Sequence, residues 1–285
     1  MAVYRGTGFF RTHPGMSLLV LRSFLFNFLF YTVTLVEMIV FSPFFFLAPR
    51  KKAWFVPKFW ARTHLWLMKL VVGTDHVVIG KEKLPEGSYI LAPKHQSAWD
   101  TFACLPWWPD PVLILKRELM WVPLFGWYVA KMDMIPIDRG NRFKAIESVN
   151  RGALRAVGRG RQIMIYPEGT RRPPGAEPKY KMGIANLYER LNVPVVPIAH
   201  NAGLYWPRRS FMRYPGTIKV EVLDPIMPGL DRDTFHRTLV ERIETACDRQ
   251  LLELADDPNA PPFPETAKKR VAELRAAAVS RTGEA

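Results

Sequence analysis

From Ser23 to Ala48 the chain carries 26 residues and a single charge, Glu37. A membrane-spanning helix needs roughly 20 residues, so Ser23 to Phe41 just reaches across a bilayer. The energetics are close. Twelve Leu, Ile, Val and Phe residues contribute about −5 kcal/mol in all, against a cost on the order of +3 kcal/mol for a charged central Glu. Asn27 and the hydroxyls of Ser23, Tyr31, Thr32 and Thr34 erode what remains. Pro43 is expected to interrupt the helix before Phe44-Phe45-Phe46. Both flanks are basic, with Arg5, Arg11 and Arg22 before and Arg50, Lys51 and Lys52 after. No orientation is selected, and an in-plane segment or a hairpin fits as well as a span. The run is too long for a cleavable signal and ends without a small-x-small site.

Residues 53–72 extend this character. No acidic residue stands between Glu37 and Asp75, while six basic ones do. On a helix from Pro57, Lys58, Arg62 and Lys69 share one side, and Phe59, Trp60, Thr63, Trp66, Leu67 and Leu70 fill most of the rest. That pattern reads as an interfacial helix with a basic edge for anionic head groups. A core helix with a solvated basic edge gives the same spacing. Residues 1–72 are therefore expected to form a membrane-associated helical segment. The overall balance, 40 basic against 26 acidic residues and a net +14, fits an anionic membrane or a phosphorylated substrate. No nucleic-acid-binding pattern accompanies it.

After Gly73 short apolar runs recur at 76–79, 89–92, 112–115, 132–137, 163–166, 193–199 and 218–222, most of them bounded by Gly, Pro, Asp or Asn. Helical periodicity lies between several of them, at 143–158 and then at 231–254. Such alternation predicts an α/β domain over 73–254, with a mixed central sheet flanked by helices. Residues 255–285 read as a Pro-rich linker, with four prolines in 256–264, followed by a short surface helix. Cys104 and Cys247 lack metal-ligand spacing, so no metal site or disulfide scaffold is expected.

The chemistry sits in four blocks. Leu91-Ala92-Pro93-Lys94-His95-Gln96-Ser97-Ala98-Trp99-Asp100 follows a predicted strand. Five positions rotate a helical side chain by about 140°, so His95 and Asp100 meet only if the chain turns between them. Ser97 is a candidate cap for that turn. Asp100 would then accept from the imidazole Nδ1–H and leave Nε2 to take a proton. The second block is Ile135-Pro136-Ile137-Asp138-Arg139. The third, Ile163–Arg172, contains Tyr166-Pro167-Glu168-Gly169-Thr170-Arg171, in which Gly169 permits close backbone approach and Thr170 and Arg171 suit a phosphate. The fourth is Val193-Pro194-Val195-Val196-Pro197-Ile198-Ala199, a buried strand whose Pro197 suggests an edge or strand end.

In that order the four blocks resemble the 1-acylglycerol-3-phosphate acyltransferase (lysophosphatidic acid acyltransferase) family. The likeness runs from about Gly73 to Ile226 and takes in Lys116-Arg117-Glu118-Leu119, Val122–Trp127, Lys181-x-Gly183, Pro215-Gly216-Thr217 and Asp224-Pro225-Ile226. It implies an α/β acyltransferase domain on the cytoplasmic side of the inner membrane. The implied reaction moves an acyl chain from acyl-CoA or acyl carrier protein to the sn-2 hydroxyl of lysophosphatidate, without a cofactor. It also implies His95 as general base and Asp100 as its orienting carboxylate. Lys116, Arg139, Glu168, Gly169, Thr170 and Arg171 are implied in acceptor binding, and the fourth block in lining the acyl-donor side. Tyr166 stands where Phe is common, and Arg172 where a small hydroxyl residue is usual. Glycerol 3-phosphate or another lysolipid as acceptor, and a membrane-binding scaffold without catalysis, are the rival readings.

Overall fold

The computed structural model describes residues 15–138, 140 and 142–283. Each short apolar run becomes a strand: β1 (Thr74–Ile79), β2 (Ile90–Pro93), β3 (Pro111–Lys116), β4 (Ile135–Ile137), β5 (Gln162–Met164), β6 (Val195–His200) and β7 (Gly216–Val222). They form one sheet of order β1-β7-β6-β2-β5-β3-β4. The five from β6 to β4 run parallel, while β7 is antiparallel to β6 and parallel to β1. The helices are α1 (Met16–Leu47), α2 (Arg50–Ala53), α3 (Phe55–Leu67), α4 (Phe125–Lys131), α5 (Arg142–Val157), α6 (Gly183–Leu191), α7 (Ala202–Tyr205), α8 (Arg232–Ala255) and α9 (Glu265–Gly283). The mixed α/β sheet flanked by helices is the expected fold class.

The central strands β2 and β6 are buried throughout, which is why they read as continuous apolar runs rather than alternations. Leu91 and Val196 join Phe26, Phe45 and Trp54 of the N-terminal helices in one core. Ile90, Ala92 and Val195 join Leu187 of α6 and Phe235, Leu239 and Ile243 of α8 in the other. The N-terminal segment thus shares a core with the sheet. Gly73, at φ +84°, makes the left-handed stop between the helical segment and β1.

Two expectations about proline need correcting. Helix α1 continues through Pro43 to Leu47. Its last turn is held by Phe45, which is fully buried and stacks on Tyr128 at 4.0 Å, offsetting the hydrogen bond that proline forfeits. Pro197 lies inside the sheet, not at its edge. Leu223 N–H still donates to the Pro197 carbonyl at 3.0 Å, and the β6–β7 ladder ends there, where proline has no N–H to give in return.

Helix α1 is about 48 Å long at about 1.5 Å per residue, and it is docked along most of that length. Ser23 and Asn27 bond the 211–213 loop, Phe26 and Phe30 pack edge-on against Trp206, Thr34 meets His64 of α3, and Ser42 reaches the Tyr128 hydroxyl. Glu37 also turns inward, toward Thr63 and His64. Phe24, Phe28, Tyr31, Leu35 and Ile39, at helical spacing of three and four, form an exposed stripe on the other side. Helix α3 combines both sequence readings: Val56, Ala61, His64 and Leu67 are buried, while Phe55, Phe59 and Trp66 are exposed. Its basic edge is partly engaged, since Lys58 donates to the Pro109 carbonyl and Lys69 pairs with Asp75.

The C-terminal helix is longer than predicted. Helix α9 has 19 residues and docks on α8 through buried Ala267 and Val271, with Arg270 paired to Asp248. A Cβ on Gly175 would meet the Ala267 backbone at 2.6 Å, so the contact is close.

Candidate active site

Parallel strands place their carboxyl ends along one edge of the sheet, where the following loops converge. His95 follows β2, Lys116 ends β3, Asp138 follows β4, Tyr166 to Arg171 follow β5, and His200 ends β6. Because β2 lies between β6 and β5, the His95 loop has His200 on one side and the third block on the other.

The turn between His95 and Asp100 is closed by the aspartate itself. Asp100 Oδ2 accepts from the backbone N–H groups of Gln96 and Ser97, both at 2.8 Å. Its Oδ1 lies 3.0 Å from His95 Nδ1. Ser97 stands one residue before the cap of the following turn, which is Ala98; its Oγ accepts from Trp99 N at 3.1 Å and donates to the Trp206 carbonyl at 2.7 Å. A buried carboxylate accepting at Nδ1 places the proton there and the lone pair on Nε2, for which no hydrogen bond is found among the described residues.

The histidine is fixed from three further directions. Tyr166 stacks on its ring at 4.1 Å and donates to the Asp100 carbonyl at 2.9 Å. The His95 N–H donates to Glu168 Oε2 at 3.0 Å, and the His95 carbonyl accepts from Arg172 N at 2.8 Å. Beneath lies a buried charge network. Lys94 Nζ is 3.0 Å from Glu168 Oε1 and 2.6 Å from Glu244 Oε1, which also accepts from the Tyr180 hydroxyl at 2.6 Å. Burial pulls the Lys94 ammonium down, but the carboxylates of Glu244 and Glu168 outweigh it and hold it above its ordinary value. Lys94 is therefore a fixed cation.

His200 is the second buried imidazole. Its Nε2 sits 2.7 Å from the Lys94 carbonyl and its Nδ1 accepts from Ala202 N at 3.3 Å. Burial holds its pKa below the ordinary value, so it stays neutral 3.5 Å from Asp100 Oδ2. The aspartate charge is left to His95.

The other sequence candidates divide. Gly169 adopts φ +65°, with the Lys181 side chain packed where a Cβ would go. Thr170 is exposed and Arg171 half-buried on the same loop as Glu168. Lys116 is exposed two strands from β2, about 10 Å across the sheet edge at about 4.8 Å per strand. Glu168 is buried, with one oxygen on the His95 N–H and the other on Lys94, so it holds the loop from below. Arg139 lies outside the described residues. The fourth block is core on both faces instead of a cleft lining, and it delivers His200 to the site. Lys94, Tyr180, His200 and Glu244 escaped the sequence reading. A lysine beside the HxxxxD histidine and a histidine closing an apolar strand were the available signals, whereas Glu244 lies 150 residues from its partner.

Residues 76–201 match a protein-family model described as Acyltransferase. The chain is 40% identical over 187 residues to the 1-acyl-sn-glycerol-3-phosphate acyltransferase of Pseudomonas aeruginosa, a match covering 64% of this chain and 72% of that protein. It is 30% identical over 171 residues to the enzyme of the same name from Saccharomyces cerevisiae, covering 58% of this chain and 56% of the yeast protein. Its fold superposes with TM-score 0.68 on the crystal structure of the 1-acyl-sn-glycerophosphate acyltransferase from Thermotoga maritima, at 22% identity, over 81% of this chain and 96% of that one.

Proposed function

The chain belongs to the 1-acyl-sn-glycerol-3-phosphate acyltransferase family, and on that premise we propose that it acylates the sn-2 hydroxyl of lysophosphatidate at an anionic phospholipid surface, giving phosphatidate. The donor is a thioester, acyl-CoA or acyl carrier protein. The observation that carries this reading is the His95–Asp100 pair, with Nδ1 committed to the carboxylate and Nε2 unbonded at the sheet edge. His95 Nε2 takes the hydroxyl proton as the hydroxyl oxygen attacks the thioester carbonyl. Asp100 stabilises the imidazolium, the C–S bond breaks, and the proton passes on to the departing thiolate. The acceptor is itself the nucleophile, so no acyl-enzyme is required. Arg171, Thr170 and Lys116 supply the groups for the acceptor phosphate, with Gly169 giving the backbone its close approach.

The test is acyl transfer by purified protein offered lysophosphatidate, glycerol 3-phosphate and a neutral-headed lysolipid side by side, with both donors. Selective turnover of lysophosphatidate is expected. Preference for either other acceptor would retain the chemistry and overturn the substrate, and no turnover with any pair would favour the scaffold.

Docking of α1 along its length supports an in-plane anchor, since a helix that covers the domain flank cannot also stand upright in the bilayer. The stripe from Phe24 to Ile39 faces lipid, joined by exposed Trp121 and Trp127 beside Tyr128. We place the catalytic domain on the cytoplasmic face of the inner membrane, a reducing setting that suits two free buried cysteines. Replacing Phe28 and Leu35, 57% and 53% exposed, with aspartate should weaken vesicle binding by about tenfold or more. The thermal midpoint should hold, because neither side chain is buried against the protein. Co-sedimentation and melting curves check both halves.

A further inference from the structure

The loop after α7 gathers cations that the acceptor site described so far does not use. It runs Trp206-Pro207-Arg208-Arg209-Ser210-Phe211-Met212-Arg213. Arg208 Nη1 donates to the Arg171 carbonyl at 2.6 Å, so the loop reaches across to the turn after β5. Arg172, whose N–H holds the His95 carbonyl, has a buried Nε without a hydrogen-bond partner. Burial, then the charges of Arg209, Arg171 and Arg172, hold the Arg208 guanidinium below its ordinary value. Arg208 thus lies among three other arginines, on the turn whose Arg172 N–H holds the His95 carbonyl. Among the described residues none of the four forms an ion pair.

Such a concentration of like charge is unfavourable in the empty protein, and the backbone adds to it. Arg209 has φ +58°, at the third position of a turn closed by Ser210 N on the Pro207 carbonyl at 3.3 Å. That position favours Gly or Asn. Strain of this kind concentrates where function requires it.

The loop is also fastened to the membrane-facing helix. Arg213, 6% exposed, stacks on Trp206 at 4.2 Å and donates to Asn27 Oδ1 at 2.8 Å. Ser23 Oγ accepts from Arg213 N at 3.0 Å, and Asn27 Nδ2 donates to the Phe211 carbonyl at 3.0 Å. Phe211 is exposed, beside the turns of α1 that present Phe24 and Phe28.

We propose that Arg208 and Arg209, together with Arg171 and Arg172, form a head-group site for a phosphomonoester lipid, which captures the acceptor at the bilayer surface and presents its hydroxyl to His95. This rests on the acceptor assigned above and extends it to a loop outside the four sequence blocks. A phosphomonoester carries close to two charges and three terminal oxygens near neutral pH, matching several guanidinium forks at once. A phosphodiester head group offers one charge and two free oxygens. Attachment to α1 puts the site at the lipid surface, which favours a lipid phosphate over those of a soluble donor.

The test uses the full-length protein and its Arg208→Gln/Arg209→Gln variant in flotation assays. Vesicles are phosphatidylcholine alone, or with lysophosphatidate or phosphatidylglycerol added to equal surface charge. Binding to the lysophosphatidate vesicles should fall about thirtyfold, with a smaller loss on phosphatidylglycerol and none on neutral vesicles. In acyl transfer, KM for lysophosphatidate should rise more than kcat falls. An Arg208→Lys/Arg209→Lys variant keeps the charge and should recover only part of the binding. Equal losses on both anionic vesicles, no loss on either, full recovery by lysine, or a rise confined to the KM of the thioester donor would each overturn the proposal. Should the wild type fail to acylate lysophosphatidate, the acceptor assignment falls, while the flotation arm still decides the head-group site.

Discussion

His95→Ala should lower acyl transfer by about 10²- to 10⁴-fold, the range that a positioned general base contributes. The thermal midpoint should stay close to wild type. The side chain is 13% exposed and its loss removes the Tyr166 stacking and the partner of Asp100 Oδ1, but the bonds that hold the loop, the His95 N–H to Glu168 and its carbonyl to Arg172, survive the substitution. Asp100 keeps the N–H groups of Gln96 and Ser97. Asp100→Asn separates the roles differently. The amide can no longer accept everywhere that the carboxylate did, so activity should drop on a similar scale and stability by about 1–3 kcal/mol as well. Steady-state assays beside urea denaturation distinguish the two. Near-wild-type turnover in His95→Ala would end the general-base assignment.

The second large effect is expected at Lys94. Removing one partner of a buried ion pair typically costs about 3–5 kcal/mol, because the remaining charge is left uncompensated. Lys94→Met would strand the Glu168 carboxylate, which is 1% exposed, and leave Glu244 without its cation. The loss should depend on pH in a defined direction. Burial raises the Glu168 carboxyl above its ordinary value, and without Lys94 that effect stands unopposed. A group whose folded pKa is raised stabilises the protein below its unfolded value, and the contribution disappears as pH rises through the folded one. Lys94→Met should therefore be least impaired at acidic pH and lose stability toward neutrality. Adding Glu168→Gln should recover part of the deficit. A pH-independent loss, or no recovery, would mean that Lys94 acts by packing alone.

How much of this was legible in the sequence follows from the range of each interaction. All seven strands were legible, because β2 and β6 are buried on both faces and most of the apolar runs are bounded by breakers. The helices α5 and α8 showed because one face of each is apolar at regular spacing. The dyad was legible because Asp100 closes its own turn within five residues. What escaped was non-local. Glu168 looked like a ligand of the acceptor because its motif is contiguous with Arg171, and only Lys94, 74 residues away, shows why it points inward. Pro43 looked like a helix stop because nothing nearby reveals that Tyr128 holds the turn beyond it. The arginines at 208 and 209 lie outside the four blocks, and only the fold carries them to Arg171.

The shared core of α1 and the sheet has a consequence for synthesis. Ser23 waits for Arg213, 190 positions later, before its contacts exist. At about 5–20 residues per second, α1 is complete for roughly 8–33 s before the loop it docks against has been made. Until then the turns that meet Trp206 and Arg213 are bare, although Trp60, His64, Phe102 and Tyr128 have already been made. On the in-plane reading proposed above, a bilayer covers the exposed stripe during that interval, and the rest of the chain assembles onto a helix already lying there. An element made early is then among the last to complete its contacts, and on the same reading the membrane serves as a scaffold for folding before it serves as a source of substrate. Removing α1 would thus take away part of the core along with its exposed stripe. A form with less exposed apolar surface is better sought by replacing the stripe from Phe24 to Ile39.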